Sequence, residues 1–454
     1  MAGRFSFPKV WIDKLVGKEF MANAAGNGIS RVLGSLIPIL VAWCFGIGKE
    51  TDLFFFALAV ITFLTTVFSI TLETVSVPFI SDLRRSRGDV GAFVGILFYL
   101  AVIVTASIAV LCYVLIGPAL TVFTQFSVIE IYEIRAIIIS IMPVFFFVLC
   151  SSLLVGALNA LSFYFLPSVS AALRSVVVIL IIYLGGAKGG IISLPLAFVA
   201  GEAIRLSGLW LFVSYRGLFT ISLNRAIVPF VKEFLRKGSY QIGSALLGGI
   251  NPLVDRSVAS WIGLGGISII EYADRLNTFP IMFLSSVLPV LLSRWSNEFD
   301  LTSVSEIRGK VARAIRLITL PTVILVAFGL YFSHEIVRFV YLHGGFPQEK
   351  VSIVSQTFSV YLLALWPNLV SQIIVRAYLA LKVTRILMSL AAVRAILNVV
   401  FDLVLMKYFG VVGIALSTTL CTFFITTIIG LSFFRGQASN DLFPDVSLSA
   451  GKNP

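Results

Sequence analysis

The stretch Asn251–Leu276, NPLVDRSVASWIGLGGISIIEYADRL, decides how this chain reads. It begins as an apolar helix carrying two adjacent charges, Asp255 and Arg256. A Gly263-Leu264-Gly265-Gly266 break follows, and then Tyr272-Ala273-Asp274-Arg275-Leu276. The first part is apolar enough to sit in lipid, where an ionised side chain is costly unless it faces protein, water or an opposite charge. Charges kept at such a depth point to a pathway for a polar or ionic species.

The rest of the chain agrees with a lipid setting. Its 454 residues are 58% hydrophobic and only 12% charged, and that charged fraction is about half of what soluble domains carry. The net charge of +12 would suggest nucleic acid in a soluble chain. Here the surplus sits in short loops, where membrane topology accounts for it, so no nucleic-acid partner is expected. Cys44, Cys112, Cys150 and Cys421 are isolated in apolar segments, which fits neither a disulfide framework nor a metal-ligand spacing. Arg4, Lys9, Lys14 and Lys18 precede no compact apolar core with a cleavage site, so the N-terminus reads as an interfacial lead-in.

About twelve segments are long and apolar enough to cross a bilayer as helices. They run over 27–48, 53–80, 91–117, 135–160, 163–185, 190–214, 239–263, 274–295, 312–333, 352–381, 385–408 and 411–434. None shows the alternation of a membrane β-barrel, so the expected class is all-α. The loops 82–89, 215–237, 294–316 and 382–385, with both termini, hold about 21 of the 34 basic residues, which predicts cytoplasmic termini. The expected organisation is a lead-in (1–26), a six-helix lobe (27–214), a basic linker (215–238), a second six-helix lobe (239–435) and a tail (436–454).

An internal repeat supports two lobes. Leu154-Val155-Gly156-Ala157-Leu158-Asn159-Ala160-Leu161 returns as Ile374-Val375-Arg376-Ala377-Tyr378-Leu379-Ala380-Leu381. The same register sets Arg174 on Arg394, and Gly190-Ile191 echoes Gly413-Ile414. Near the start, Phe45-Gly46-Ile47-Gly48 echoes Ile262-Gly263-Leu264-Gly265. Copies with an even number of helices share orientation, an architecture of transporters whose substrate site lies between the halves.

Ser30-Arg31-Val32-Leu33-Gly34, Phe45-Gly46, Thr51-Asp52 before Phe54-Phe55-Phe56-Ala57, Gly156-Ala157-Leu158-Asn159-Ala160, Tyr272-Ala273-Asp274-Arg275-Leu276, Phe279-Pro280, Leu288-Pro289, Gly344-Gly345-Phe346, Arg376-Ala377-Tyr378 and Asn398 follow one another in order. With these pieces the chain resembles the MurJ (MviN) family of lipid II flippases, in the multidrug/oligosaccharidyl-lipid/polysaccharide (MOP) exporter superfamily. The resemblance implies two helical lobes around a cationic cavity and alternating access for a lipid-linked pyrophosphate sugar. It assigns Arg31, Asp52 and Arg275 to that cavity. The chain departs from the family where Ile37 and Pro38 replace an arginine and an acid, and where Thr65 replaces a second-helix arginine. It also ends before two further C-terminal helices that the family often carries. These departures leave a related undecaprenyl-pyrophosphate oligosaccharide as a substrate beside lipid II itself.

From the residues themselves, the expected substrate contacts are Arg31, Arg256, Arg275 and Arg376, with Arg174, Arg205 and Arg394 as weaker members; the resemblance adds Asp52 to this set. Guanidinium groups bind pyrophosphate oxygens bidentately. The alternative is pairing with local acids: Arg205 with Glu202, three residues away, and Arg256 with Asp255. Asn398 and Asp402 are four apart and share one helix face. With Thr418 and Asp255 they form an oxygen donor set suited to a coupling ion, Na+ or H+. The competing reading is helix-to-helix hydrogen bonding by Asn398, with Asp402 neutralising Arg394 or Arg256. Glu73, deep in the second helix, is a candidate proton carrier or else a neutral, hydrogen-bonded side chain.

Walker, Ser/His/Asp and metal-hydrolase signatures are absent from the sequence, so a transporter is expected, not an enzyme. It would be a monomeric, multi-pass protein of the bacterial inner membrane without a cofactor other than the coupling ion, Na+ or H+. Its partners would be the bilayer and a lipid-linked pyrophosphate oligosaccharide. The main alternative is an ion-coupled drug antiporter of the same superfamily, in which acids should dominate the cavity. A membrane glycosyltransferase and a transport-inactive scaffold are further alternatives.

Overall fold

A computed structural model describes residues 9–86, 88–220, 227–285, 304–381 and 385–435, and they contain helices and no strand. The expected tail, the Leu288-Pro289 motif and the first residues of the lead-in lie outside them. The helices are α1 (Lys9–Phe45), α2 (Lys49–Arg85), α3 (Val90–Phe123), α4 (Val128–Ala160), α5 (Phe165–Gly189), α6 (Ser193–Tyr215), α7 (Val228–Gly249), α8 (Asn251–Ala259), α9 (Gly266–Ser285), α10 (Val304–Tyr331), α11 (Ser333–Tyr341), α12 (Val351–Leu363), α13 (Leu365–Ala380) and α14 (Arg385–Arg435).

Among the described residues nine helical stretches are long and apolar enough to cross a membrane. One of them, Ile386–Arg435, contains two of the expected segments joined across Gly410. Gly410 takes φ +58°, a left-handed conformation that a glycine adopts without a Cβ clash. The expected segment 239–263 is divided between α7 and α8, and α9 is described only as far as Ser285. These three differences reconcile nine stretches with twelve expected segments.

Local chemistry sets the starts. Ser127 caps α4 in a box with Glu130, whose carboxylate accepts from the Ser127 backbone N–H at 2.8 Å. Asp89 caps α3 by accepting from the Ala92 N–H at 2.9 Å.

The described residues fall into two compact units, divided between Gly249 and Ile250. In the first, α1 packs on α5, α2 on α4, and both α4 and α5 on α6. In the second, α8 packs on α14, and α9 on α12 and α13. The same order of pairing, first helix on fifth and second on fourth, thus recurs as the sequence repeat requires.

Lipid is as apolar as leucine, so hydrophobic transfer does not drive these helices together; close packing and polar contacts do. Gly156 of α4 shows the first effect. Its Cα faces Ser76 and the carbonyls of Leu72 and Glu73, and a Cβ there would lie 2.3 Å from Ser76 Oγ. Beyond it, the Phe79 and Phe93 rings stack at 6.2 Å and Phe234 meets both edge-on.

The second unit shows the polar effect. Its fourth-position helix is broken between α12 and α13, where the Ala364 N–H turns to the Tyr361 carbonyl and Pro367 has no N–H to donate. The carbonyls at this break are met from α14: Thr419 Oγ1 donates to Val360 O at 3.0 Å and Thr426 Oγ1 to Pro367 O at 2.9 Å. At Val360 the neighbouring hydroxyl takes the place of the Ala364 N–H that the break turns away; at Pro367, inside α13, it adds a tie between the two helices.

Candidate functional site

Successive residues on a helix point about 100° apart and do not face each other, and the charges of α8 separate accordingly. Asp255 lies against α14 and Arg256 against α9. Arg256 Nη2 donates to Glu271 Oε2, and its Nη1 donates to Pro252 O at 2.8 Å. Arg275 Nη2, one turn along α9 from Glu271, donates to Glu271 Oε1 at 2.9 Å. The expected alternative partner for Arg256, Asp255, is therefore replaced by Glu271, a buried residue that the sequence reading overlooked. One signal could have found it: Glu271 stands four residues before Arg275, on the same helix face.

The four oxygen-bearing residues expected to hold a coupling ion come together. Thr418 Oγ1 donates to Asp255 Oδ2 at 3.3 Å. The Asp255 carboxyl group is also within side-chain hydrogen-bonding reach of Asn398 and Asp402. Ser417 joins them beside Asp402 and donates to the Asn398 carbonyl at 3.3 Å. Asp402 is wholly buried and has no ion pair with Arg394 or Arg256 among the described residues. Asp255 Oδ1, Asn398 Oδ1 and both oxygens of Asp402 are buried without a protein hydrogen-bond donor.

Two facing carboxylates with unmet oxygens in an apolar wall repel each other and lack solvation, so the arrangement calls for a cation or a shared proton. Amide, hydroxyl and carboxylate oxygens are the hard donors that a small hard cation prefers.

The expected substrate residues distribute less tightly. Arg31 is exposed on α1 and Asp52 is buried in the first turns of α2, both in the first unit. Arg256 and Arg275 share Glu271 in the second unit. Arg376 of α13 lies apart from that pair and lines a separate cavity of about 420 Å³ together with Arg394. Arg174 and Arg205 both converge on Glu202, at 2.7 and 3.5 Å; the Arg205 pairing follows the expected spacing, and Arg174 adds a partner from the neighbouring helix. Glu73 is half-buried on α2, on the turn that Gly156 packs against.

A family model described as "Lipid II flippase MurJ" matches residues 41–444. The chain is similar to the probable lipid II flippase MurJ of Buchnera aphidicola subsp. Baizongia pistaciae (strain Bp), 23% identical over 87% of this chain and 79% of that protein. It is also similar to the lipid II flippase MurJ of Thermosipho africanus (strain TCF52B), 26% identical over 86% and 80% of the two chains. Among solved structures, a lipid II flippase MurJ in an inward closed conformation superposes with TM-score 0.80 at 23% identity, covering 91% of this chain and 87% of that one. An inward-facing multidrug resistance MATE family transporter of the MOP superfamily gives 0.74 at 16% identity, over 89% and 93%. These likenesses show that the helical fold is the one those two proteins share. The match of residues 41–444 covers most of the chain, and the chain belongs to the lipid II flippase MurJ family.

Proposed function

We propose that this protein is a flippase of the bacterial inner membrane, a transporter and not an enzyme. It moves an undecaprenyl-pyrophosphate-linked sugar, lipid II or a related polysaccharide precursor, from the cytoplasmic to the outer leaflet. The observation that carries the reading is the pairing of Arg256 and Arg275 on Glu271, one residue from Asp255 and its carboxylate cluster. A cationic surface for a pyrophosphate and a cation site thereby share the short helix α8, so filling one shifts the field at the other. Arg31 and Asp52 in the first unit and Arg376 in the second are the further candidate contacts. Asp255, Asn398, Asp402 and Thr418 hold the coupling ion, Na+ or H+, and Glu73 is the alternative proton carrier. Membership of a family named for lipid II flipping supports the substrate class. Ile37, Pro38 and Thr65 are the positions at which a related glycan would be selected.

The drug-antiporter alternative draws support from the likeness to MATE transporters. It is disfavoured by the intramembrane arginines, which repel cationic drugs. The test uses proteoliposomes carrying undecaprenyl-pyrophosphate oligosaccharides, with lipid II in parallel, and follows headgroup exposure on the opposite leaflet. Movement that Arg275→Ala abolishes supports the flippase. Absence of movement of every lipid-linked sugar by folded protein overturns it in favour of the antiporter or an inactive scaffold.

A further inference from the structure

The cavity between α13 and α14 has a feature that its counterpart in the first unit lacks. In the repeat, Arg174 corresponds to Arg394, and continuing from Gly190-Ile191 and Gly413-Ile414 sets Glu202 on Ile425. In the first unit Arg174 Nε lies 2.7 Å from Glu202, which neutralises it. In the second unit the position of that acid is taken by Ile425, which lines the cavity. A second guanidinium, Arg376, stands where the first unit has Gly156, so positive charge has been added where the balancing negative charge is missing.

The cavity wall contains no Asp or Glu, and neither arginine has an ion pair among the described residues. Asn368 and Gln372 contribute amides to the wall, tied to each other by a 2.7 Å hydrogen bond from Gln372 Nε2 to Asn368 Oδ1. At about 420 Å³ the space is within the roughly 300–1,000 Å³ of small-molecule sites. Two guanidiniums in a recess without an acid select an oxyanion that accepts paired N–H donors. Arg376 is one turn from the C-terminal end of α13 and Arg394 lies in the third turn of α14. The recess therefore sits within about 15 Å of the α13–α14 connection along each helix, a depth that a lipid phosphate at that interface and a soluble phosphate both reach.

We propose that Arg376 and Arg394 form an anion site for a phosphate-class group, separate from the Arg256–Glu271–Arg275 cluster, in which the ligand supplies the negative charge that Glu202 supplies in the first unit. The inference does not depend on the flippase reading.

The test has two arms, which distinguish the sources of the phosphate. In the first, inorganic phosphate and pyrophosphate are titrated by calorimetry into the full-length protein in neutral detergent. In the second, retention of phosphatidylglycerol against phosphatidylcholine is read by native mass spectrometry. Binding in the first arm identifies a soluble phosphate, and selective retention in the second identifies a lipid headgroup. In the arm that binds, Arg394→Gln and Arg376→Gln should each weaken binding by about tenfold to a hundredfold, the loss expected for a charged hydrogen bond. Ile425→Glu, which restores the acid of the first unit, should do the same. The component of binding that Arg394→Gln and Arg376→Gln remove should persist in Arg275→Ala. Thermal unfolding verifies that each variant is folded; should Ile425→Glu not fold, the two glutamine variants carry the test. No binding in either arm, or binding unchanged in Arg394→Gln and Arg376→Gln, overturns the proposal.

Discussion

The two units place opposite chemistry at matching points of one scaffold. Four and eight residues beyond Arg174, α5 carries Val178 and Ile182, both wholly buried. Four and eight residues beyond Arg394, α14 carries Asn398 and Asp402, equally buried and with unmet oxygens. Each unit also holds a glutamate bridging two arginines, Arg174–Glu202–Arg205 in the first and Arg256–Glu271–Arg275 in the second. The first cluster has the Phe198 ring against Arg174 and Glu73 within electrostatic reach of Arg205; the second adjoins Asp255, which faces Asp402. Packing alone does not require buried carboxylates at these points, because Val178 and Ile182 fill the equivalent space. Packing therefore does not account for the polar residues of the second unit.

The largest effect should come from removing either bridge. Glu271→Gln removes the buried carboxylate that pairs two half-buried guanidiniums, and losing one partner of a buried pair costs up to about 3–5 kcal/mol. Thermal unfolding in detergent should show that loss for Glu271→Gln and for Glu202→Gln alike; a loss confined to one unit would break the parallel between the clusters.

Next is a swap of the second unit toward the first. Asp402→Leu removes a buried carboxylate without partners and should stabilise the ion-free protein by about 1–3 kcal/mol. Sodium at a hundred times its dissociation constant should stabilise the wild type by about 2.7 kcal/mol. Asp402→Leu, like Asp402→Asn in transport assays, should lose that response. A sodium response that survives in Asp402→Asn would remove Asp402 from the site.

Of similar size is the close approach of α4 to α2. Gly156→Ala forces a Cβ against Ser76 and should cost about 1–3 kcal/mol by overpacking. Arg376→Ala, at the equivalent place beside a cavity, should be close to neutral in the same unfolding measurement.

The smallest effect is expected for Thr418→Val, which deletes one hydrogen bond to Asp255 and should cost about 0.5–1.5 kcal/mol. Its sharper readout is a weakened sodium response with transport at saturating sodium retained.

The fold was legible because lipid imposes long apolar runs, and because the repeated glycine and arginine positions survive in sequence. The meeting of Asp255, Asn398, Asp402 and Thr418 was legible for a related reason. Asn398 and Asp402 share a helix face at a spacing of four, and polar residues in such runs are too costly to be incidental. Partners across helices were not legible. The reading tied Arg256 to its sequence neighbour, whereas helical geometry turns it to Glu271, and Arg174 reaches Glu202 only because α5 packs on α6. Arg376 joined the expected substrate set on residue type alone. Its distinct cavity emerges from the packing of α13 on α14, which spacing along one helix does not encode.

The broken helix α12–α13 has a mechanical consequence. A carbonyl on each side of the break is held by a hydroxyl of α14, so bending at Ala364 would have to surrender Thr419 and Thr426 in the same stroke. The three helices behave as a riveted plate, with one fastening on each side of the crack. In this plate the discontinuity is a seam, and motion within the second unit is left to joints without such rivets, of which Gly410 is one.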